Sequence, residues 1–226
     1  MTYQYQIVCL ANSKKPGGKC VAGKITQGTY QNNWLRPVAP REKRAITLDD
    51  QRYENGQYAS LLDVINITYT GVQPNTYQLE NHVIDIDVDW ELVGTFDRQN
   101  LHNLVDGPPR LWADSKDDGY SGINDRLPGS TLIEPISTLY LIQPEDVSIR
   151  VKAEGAPWGN SELKVRAFFT YNGIKYGLMV TDPIYKASFL QAGSGTYEAH
   201  DVTFFTVSLG EVDQRGYAYK LVAAVF

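Results

Sequence analysis

The sequence predicts an all-β protein arranged as two small barrels. Three observations carry this expectation. Short segments rich in β-branched and aromatic residues recur along the whole chain, and Gly, Pro, Asn or Asp bounds nearly every one of them. No long stretch shows the 3.6-residue apolar period of a helix. Fifteen tyrosines and four tryptophans stand against two methionines in 226 residues, a balance suited to half-buried sheet faces.

Taken in order, residues 3–11 form a first strand that breaks at Asn12-Ser13-Lys14-Lys15-Pro16-Gly17-Gly18-Lys19, a Gly/Pro loop. Further strands are expected over 19–25, 34–38, 60–69 and 82–90, completing a first barrel within residues 1–92. Residues 93–132 read as a long ordered connection: Pro108-Pro109 and Leu127-Pro128-Gly129 punctuate it, yet it also holds Leu111-Trp112. A short helix is expected over 98–105. Residues 133–226 then supply strands at 138–142, 147–154, 163–171, 174–181, 201–208 and 217–226, with a short helix at 185–190. One hairpin can be specified in full, because Asn172-Gly173 suits a two-residue turn with positive φ at both positions. Its register sets Phe169 opposite Tyr176, Ala167 opposite Leu178 and Val165 opposite Val180, giving one apolar face. The last strand is almost wholly apolar and is expected to be central.

Charge is uneven. Residues 1–50 hold eight Lys/Arg against three Asp/Glu, residues 51–150 hold six against sixteen, and the remainder hold seven of each, for a net charge of −5. An acidic total argues against a general DNA coater and leaves room for one local basic surface. There is no basic-then-apolar leader and no apolar run near 18 residues, so a cytoplasmic protein is expected, with no membrane partner. Cys9 and Cys20 both fall in strand patterns and read as reduced thiols.

Several clusters bear on chemistry. Lys14, Lys15 and Lys19, with Ser13 beside them and Trp34 and Arg36 a strand later, suit a phosphate or nucleic-acid contact; a solvated hairpin tip is the plainer reading. The spacing is wrong for a nucleotide-binding P-loop. Gln78, Glu80 and Asn81 precede a strand and suit a base edge or a ribose, or else simple turn capping. Asp85, Asp87 and Asp89 alternate and would share one strand face, a solvated edge sooner than a cation site. His82, His102 and His200 have no ligand spacing. Asn124-Asp125-Arg126 and Thr181-Asp182-Pro183 read as turns. No nucleophilic pairing stands out, so neither a cofactor, a metal nor a catalytic residue is expected.

Taken together, several segments resemble one family. They are Cys9-Leu10-Ala11-Asn12-Ser13-Lys14-Lys15, the strand from Gly18 to Lys24, Trp34-Leu35-Arg36-Pro37, Leu61-Leu62-Asp63-Val64, Gln78-Leu79-Glu80-Asn81, and Leu111-Trp112 with Asn124-Asp125-Arg126. Later come Val180-Thr181-Asp182-Pro183, Val207-Ser208-Leu209-Gly210-Glu211 and Tyr219-Lys220-Leu221-Val222-Ala223. The chain is similar to the bacterial dual OB-containing domain family, whose members are associated with prokaryotic conflict and phage-defence loci. The resemblance implies two tandem oligonucleotide/oligosaccharide-binding (OB) barrels and recognition of nucleic acid or nucleotides without known catalysis. The expected function is then a non-enzymatic module binding single-stranded nucleic acid or a nucleotide-type anion. Its expected contact residues are Ser13, Lys14, Lys15, Lys19, Trp34, Arg36, Gln78, Glu80 and Asn81. Two alternatives stand beside it: a protein-interaction scaffold of a defence complex that uses the acidic middle segment, and a nucleotide enzyme with Glu80 and Asp125 holding Mg²⁺.

Overall fold

The computed structural model describes residues 1–115 and 117–226; Lys116, inside the expected connection, lies outside the described residues. The chain forms two units, one of Met1–Leu104 with Glu134–Ser137 and one of Val105–Ile133 with Thr138–Phe226. The stretch 93–132 is thus shared, its first part folding with the first unit and its second part with the other.

The first unit holds β1 (Tyr3–Lys15), β2 (Gly18–Ile25), β3 (Trp34–Val38), β4 (Asp63–Val72), β5 (Asn81–Ile84) and β6 (Glu91–Thr95). The pairing order β1-β2-β3-β5-β4 closes on itself through β1–β4, and β6 extends β4. Only β3 and β5 run parallel. Closure depends on the 13-residue β1, which pairs β4 along its first half and β2 along its second. A bulge between Cys9 and Ala11 bends it from one neighbour to the other. There the strands come so close that a Cβ on Gly23 would lie 2.1 Å from the Val8 carbonyl oxygen. Ile7, Cys9, Val21, Leu35, Ile65, Ile67, Tyr69 and Ile84 fill the interior, following the strand period of two. Burial pushes the Cys9 thiol up to about 12; it and Cys20 are free.

The expected strand over 82–90 is two pieces. β5 stops at Ile84, and residues 85–89 turn: the Asp87 N–H donates to Asp85 Oδ1 at 3.2 Å and the Val88 N–H to the Asp85 carbonyl. The three aspartates therefore share no strand face. The turn lets Trp90 enter the core, where it is 1% exposed.

The second unit contains β7 (Arg126–Pro128), β8 (Leu139–Ile142), β9 (Glu145–Lys152), β10 (Lys164–Tyr171), β11 (Ile174–Val180), α1 (Pro183–Ala192), β12 (Gly195–Glu198), β13 (Phe205–Val212) and β14 (Tyr217–Val225). It repeats the strand order of the first. β9, β10, β11 and β14 take the places of β1, β2, β3 and β5, and β11–β14 is again parallel. The fourth position is split, with β12 on β9 and β13 on β14. β8 and β7 are additions on β13 and β14. The Asn172-Gly173 turn has φ of 48° and 75°, and Phe169 faces Tyr176 and Ala167 faces Leu178 as expected. α1 begins because Asp182 Oδ1 accepts from the Ile184 and Tyr185 N–H groups, with Pro183 behind it. The protein is therefore all-β with two OB-like units, and among the described residues no helix is long and apolar enough to cross a membrane.

Candidate functional site

The turn at Pro16-Gly17 joins β1 to β2 and sets Lys14 directly opposite Lys19 and Lys15 opposite Gly18. Opposed residues of an antiparallel pair share a face, so the hairpin holds two like charges side by side, a destabilising arrangement in isolation. Ser13, opposite Cys20, is buried. The hairpin is braced by the connection between β3 and β4. The Lys19 N–H donates to the Ile46 carbonyl at 2.7 Å, and the Ile46 N–H donates back at 3.0 Å. A Cβ on Gly18 would meet that Ile46 oxygen at 2.4 Å, so the close docking requires glycine.

This bracing brings in cations that sequence reading did not assign. The Lys43 side chain passes over Gly17, its Cδ 3.3 Å from where a Cβ would stand. Lys14 and Lys43 are exposed, and Lys15, Lys19 and Arg44 are half-buried. Arg41 is different: Asp50 holds it bidentately at 2.6 and 2.7 Å. The run Arg41-Glu42-Lys43-Arg44 was a visible signal, but only the fold-back onto β2 shows that it extends the lysine hairpin.

The remaining expected residues lie toward the other end of β2. Lys19 and Lys24 are five positions apart, roughly 17 Å along a strand. Lys24 pairs with Trp34 in register, its Nζ 5.4 Å from the indole centroid, and it donates to the Leu104 carbonyl at 2.7 Å. Arg36 pairs with Asn81 across β3–β5. Its guanidinium meets Glu80 at 2.9 Å, the two side chains being 7% and 10% exposed. Gln78 and Asn81 are each 1% exposed, and Gln78 closes a turn through paired backbone bonds with Asn75. The nine expected contact residues thus form two groups. Ser13, Lys14, Lys15 and Lys19 belong to the hairpin; Arg36, Gln78, Glu80 and Asn81 are enclosed, with Trp34 half-buried beside them. An enclosed arginine matched by a carboxylate presents little field to a phosphate.

In the second unit the acidic segment is folded in on itself. Asp118 accepts from the Asn124 N–H and Asp125 from the Gly119 N–H, each at 2.7 Å. Asp117 accepts from the Tyr217 hydroxyl and pairs with Arg126, and Asp125 also pairs with Arg166 at 3.1 Å. Lys220 reaches the loop from β14, donating to the Ala113 carbonyl and to Asn124 Oδ1 at 2.7 Å each. Glu80 and Asp125 both therefore have an arginine partner. Among the described residues, no three His, Cys, Asp or Glu side chains are grouped to hold a metal ion.

Comparison with known proteins gives one match: a family model described as a dual OB-containing domain covers residues 5–225. No curated protein and no solved structure matches the chain.

Proposed function

This chain belongs to the dual OB-containing domain family, and from that premise we propose that it is a non-enzymatic module that binds single-stranded nucleic acid through the β1–β2 hairpin of its first barrel. The OB barrel is a module type that binds oligonucleotides and oligosaccharides, using the face of its second and third strands and the loops joining strands one to two and four to five. Lys14, Lys15 and Lys19 flank the first of those loops. The observation that carries the reading is the register that opposes Lys14 to Lys19, with Lys43 laid across the same turn. A cluster of cationic side chains at one turn suits a phosphate chain, which supplies anions at regular spacing.

Arg36, Gln78, Glu80 and Asn81 act in this reading as the frame of the β3–β5 junction. Asp117, Asp118 and Asp125 of the acidic segment are held by backbone N–H groups, Arg126, Arg166 and Tyr217, and act in this reading as the frame of their own loop. A cytoplasmic role in a bacterial defence system extends the proposal, and the genes neighbouring this one test that part.

The direct test is fluorescence anisotropy with a labelled oligothymidylate at low salt, with a free nucleotide as competitor. Lys14→Glu/Lys15→Glu is expected to abolish binding while the circular dichroism spectrum stays that of the folded protein. Equal affinity in the wild type and this variant overturns the assignment. Displacement by the nucleotide alone at comparable concentration would mark the ligand as a mononucleotide.

A further inference from the structure

The first barrel's hairpin has charge but no open ring, since Trp34 is half-buried against Lys24. The second barrel shows the complementary feature. Trp158 lies on the connection between β9 and β10, the equivalent of the lysine hairpin in the first unit, in a turn of 3-10 helix at Ala156–Trp158. Tyr120 comes from the acidic segment. Their rings meet edge to face, centroids 4.7 Å apart, yet Trp158 remains 68% and Tyr120 72% exposed. Two large aromatic side chains from distant parts of the chain are thus brought together at the surface, and each keeps an open face.

Cations flank the connection that carries Trp158. The connection carrying Trp158 leaves β9 at Lys152 and re-enters at Lys164, and those two lysines are directly opposed in register. The next outward row opposes Arg150 to Arg166. Arg166 is matched by Glu154 at 2.9 Å and Asp125 at 3.1 Å, and Lys164 is paired with Glu162. Arg150 lies 4.0 Å from Glu154, and its guanidinium stacks 4.3 Å over the Phe168 ring. It donates to the carbonyl of Ser121, next to Tyr120, which ties the aromatic pair to the cationic rows.

We propose that Tyr120 and Trp158 form a second contact for single-stranded nucleic acid, on which a base stacks while Arg150 and Lys152 take the adjoining phosphates. This rests on the reading of the chain as a single-strand binder but assigns the second barrel its own residues. An aromatic face accepts any base, and cations beside it follow the backbone. A peptide ligand would find the aromatic pair here as well, but Lys152, exposed where the connection that carries Trp158 leaves β9, adds a cation suited to a phosphate.

The test uses the full chain and a labelled oligothymidylate in anisotropy titrations. Trp158→Ala and Tyr120→Ala are each expected to weaken binding by about tenfold, the effect of one lost stack, while Trp158→Phe retains most of the affinity. A 5-iodouracil oligonucleotide irradiated in the complex is expected to crosslink to Trp158 or Tyr120. Wild-type affinity in Trp158→Ala, with crosslinks elsewhere, overturns the inference. If Lys14→Glu/Lys15→Glu loses binding and Trp158→Ala does not, the hairpin assignment stands and this one falls. The opposite pattern leaves the aromatic site standing without the hairpin. Sedimentation velocity covers another occupant: a wild-type dimer that Trp158→Ala dissociates, with oligonucleotide affinity unchanged, would assign the pair to a second copy of the chain and overturn the proposal.

Discussion

Arg36 on β3 and Glu80 just before β5 meet at 2.9 Å where the two parallel strands of the first barrel join. The Arg36 N–H also donates to the Glu80 carbonyl at 2.8 Å, so the ion pair and the strand pairing reinforce each other. Removing one member would take an ion-pair partner from the other in an enclosed place. Arg36→Met is therefore expected to destabilise the first unit by about 3–5 kcal/mol, read as a lowered urea midpoint. Arg36→Met/Glu80→Leu should recover most of that loss, because neither charge then remains. If Arg36 instead held a phosphate, the single variant would keep its stability and lose oligonucleotide affinity.

The lysine hairpin makes a prediction about salt. Each phosphate neutralised on a single strand contributes about 0.7 to the slope of log K against log salt concentration. Lys14→Gln/Lys15→Gln should lower the magnitude of that slope by about 1.4 and weaken binding to different sequences by the same factor. A preserved slope in anisotropy titrations at several salt concentrations would place the phosphate contacts elsewhere.

Asp182 joins the helix of the second unit to its last strand. One carboxylate oxygen caps α1 through Ile184 and Tyr185, and the other accepts from the Val225 N–H at 3.2 Å. Asp182→Ala removes all three and is expected to cost about 2 kcal/mol. In a thermal melt this should lower the transition by roughly 6 °C. Asp182→Asn retains an acceptor oxygen and should fall between the two.

Lys220 gives the fold a pH dependence. Burial lowers its value to about 8, against the pull of Asp114, Asp118 and Asp125 in the other direction. Between about 8 and the ordinary value of 10.5 the unfolded chain holds a proton there that the folded chain has released. Stability should accordingly rise through that window as pH increases, by roughly 1 kcal/mol per unit, and Lys220→Met should remove the slope. Urea midpoints at several pH values between about 8 and 10.5 check this; the same pH dependence in both proteins would refute it.

Most of the architecture was legible because its determinants are local. The Asn172-Gly173 turn needs only two residues able to adopt positive φ, and once it forms, the pairing of Phe169 with Tyr176 follows from the strand period. Where local pattern misled, a distant partner decided. Asp85, Asp87 and Asp89 alternate like a strand, but Trp90 has to reach the core, so the chain turns instead. β12 was not foreseen because its four residues, Gly195–Glu198, have little character apart from the β9 edge on which they lie.

The candidate site divides along the same line. The amino-acid sequence by itself determined the strands, the glycine-bearing turns and the lysine-rich hairpin, because backbone preference and side-chain alternation act over a few neighbouring residues. Tertiary structure alone decided that Arg36 would be matched by Glu80, that Lys43 would join Lys14, and that Tyr120 would meet Trp158. Those outcomes depend on the fold bringing together residues 29 to 44 positions apart, and neither charge nor aromaticity says in advance which partner a side chain will find.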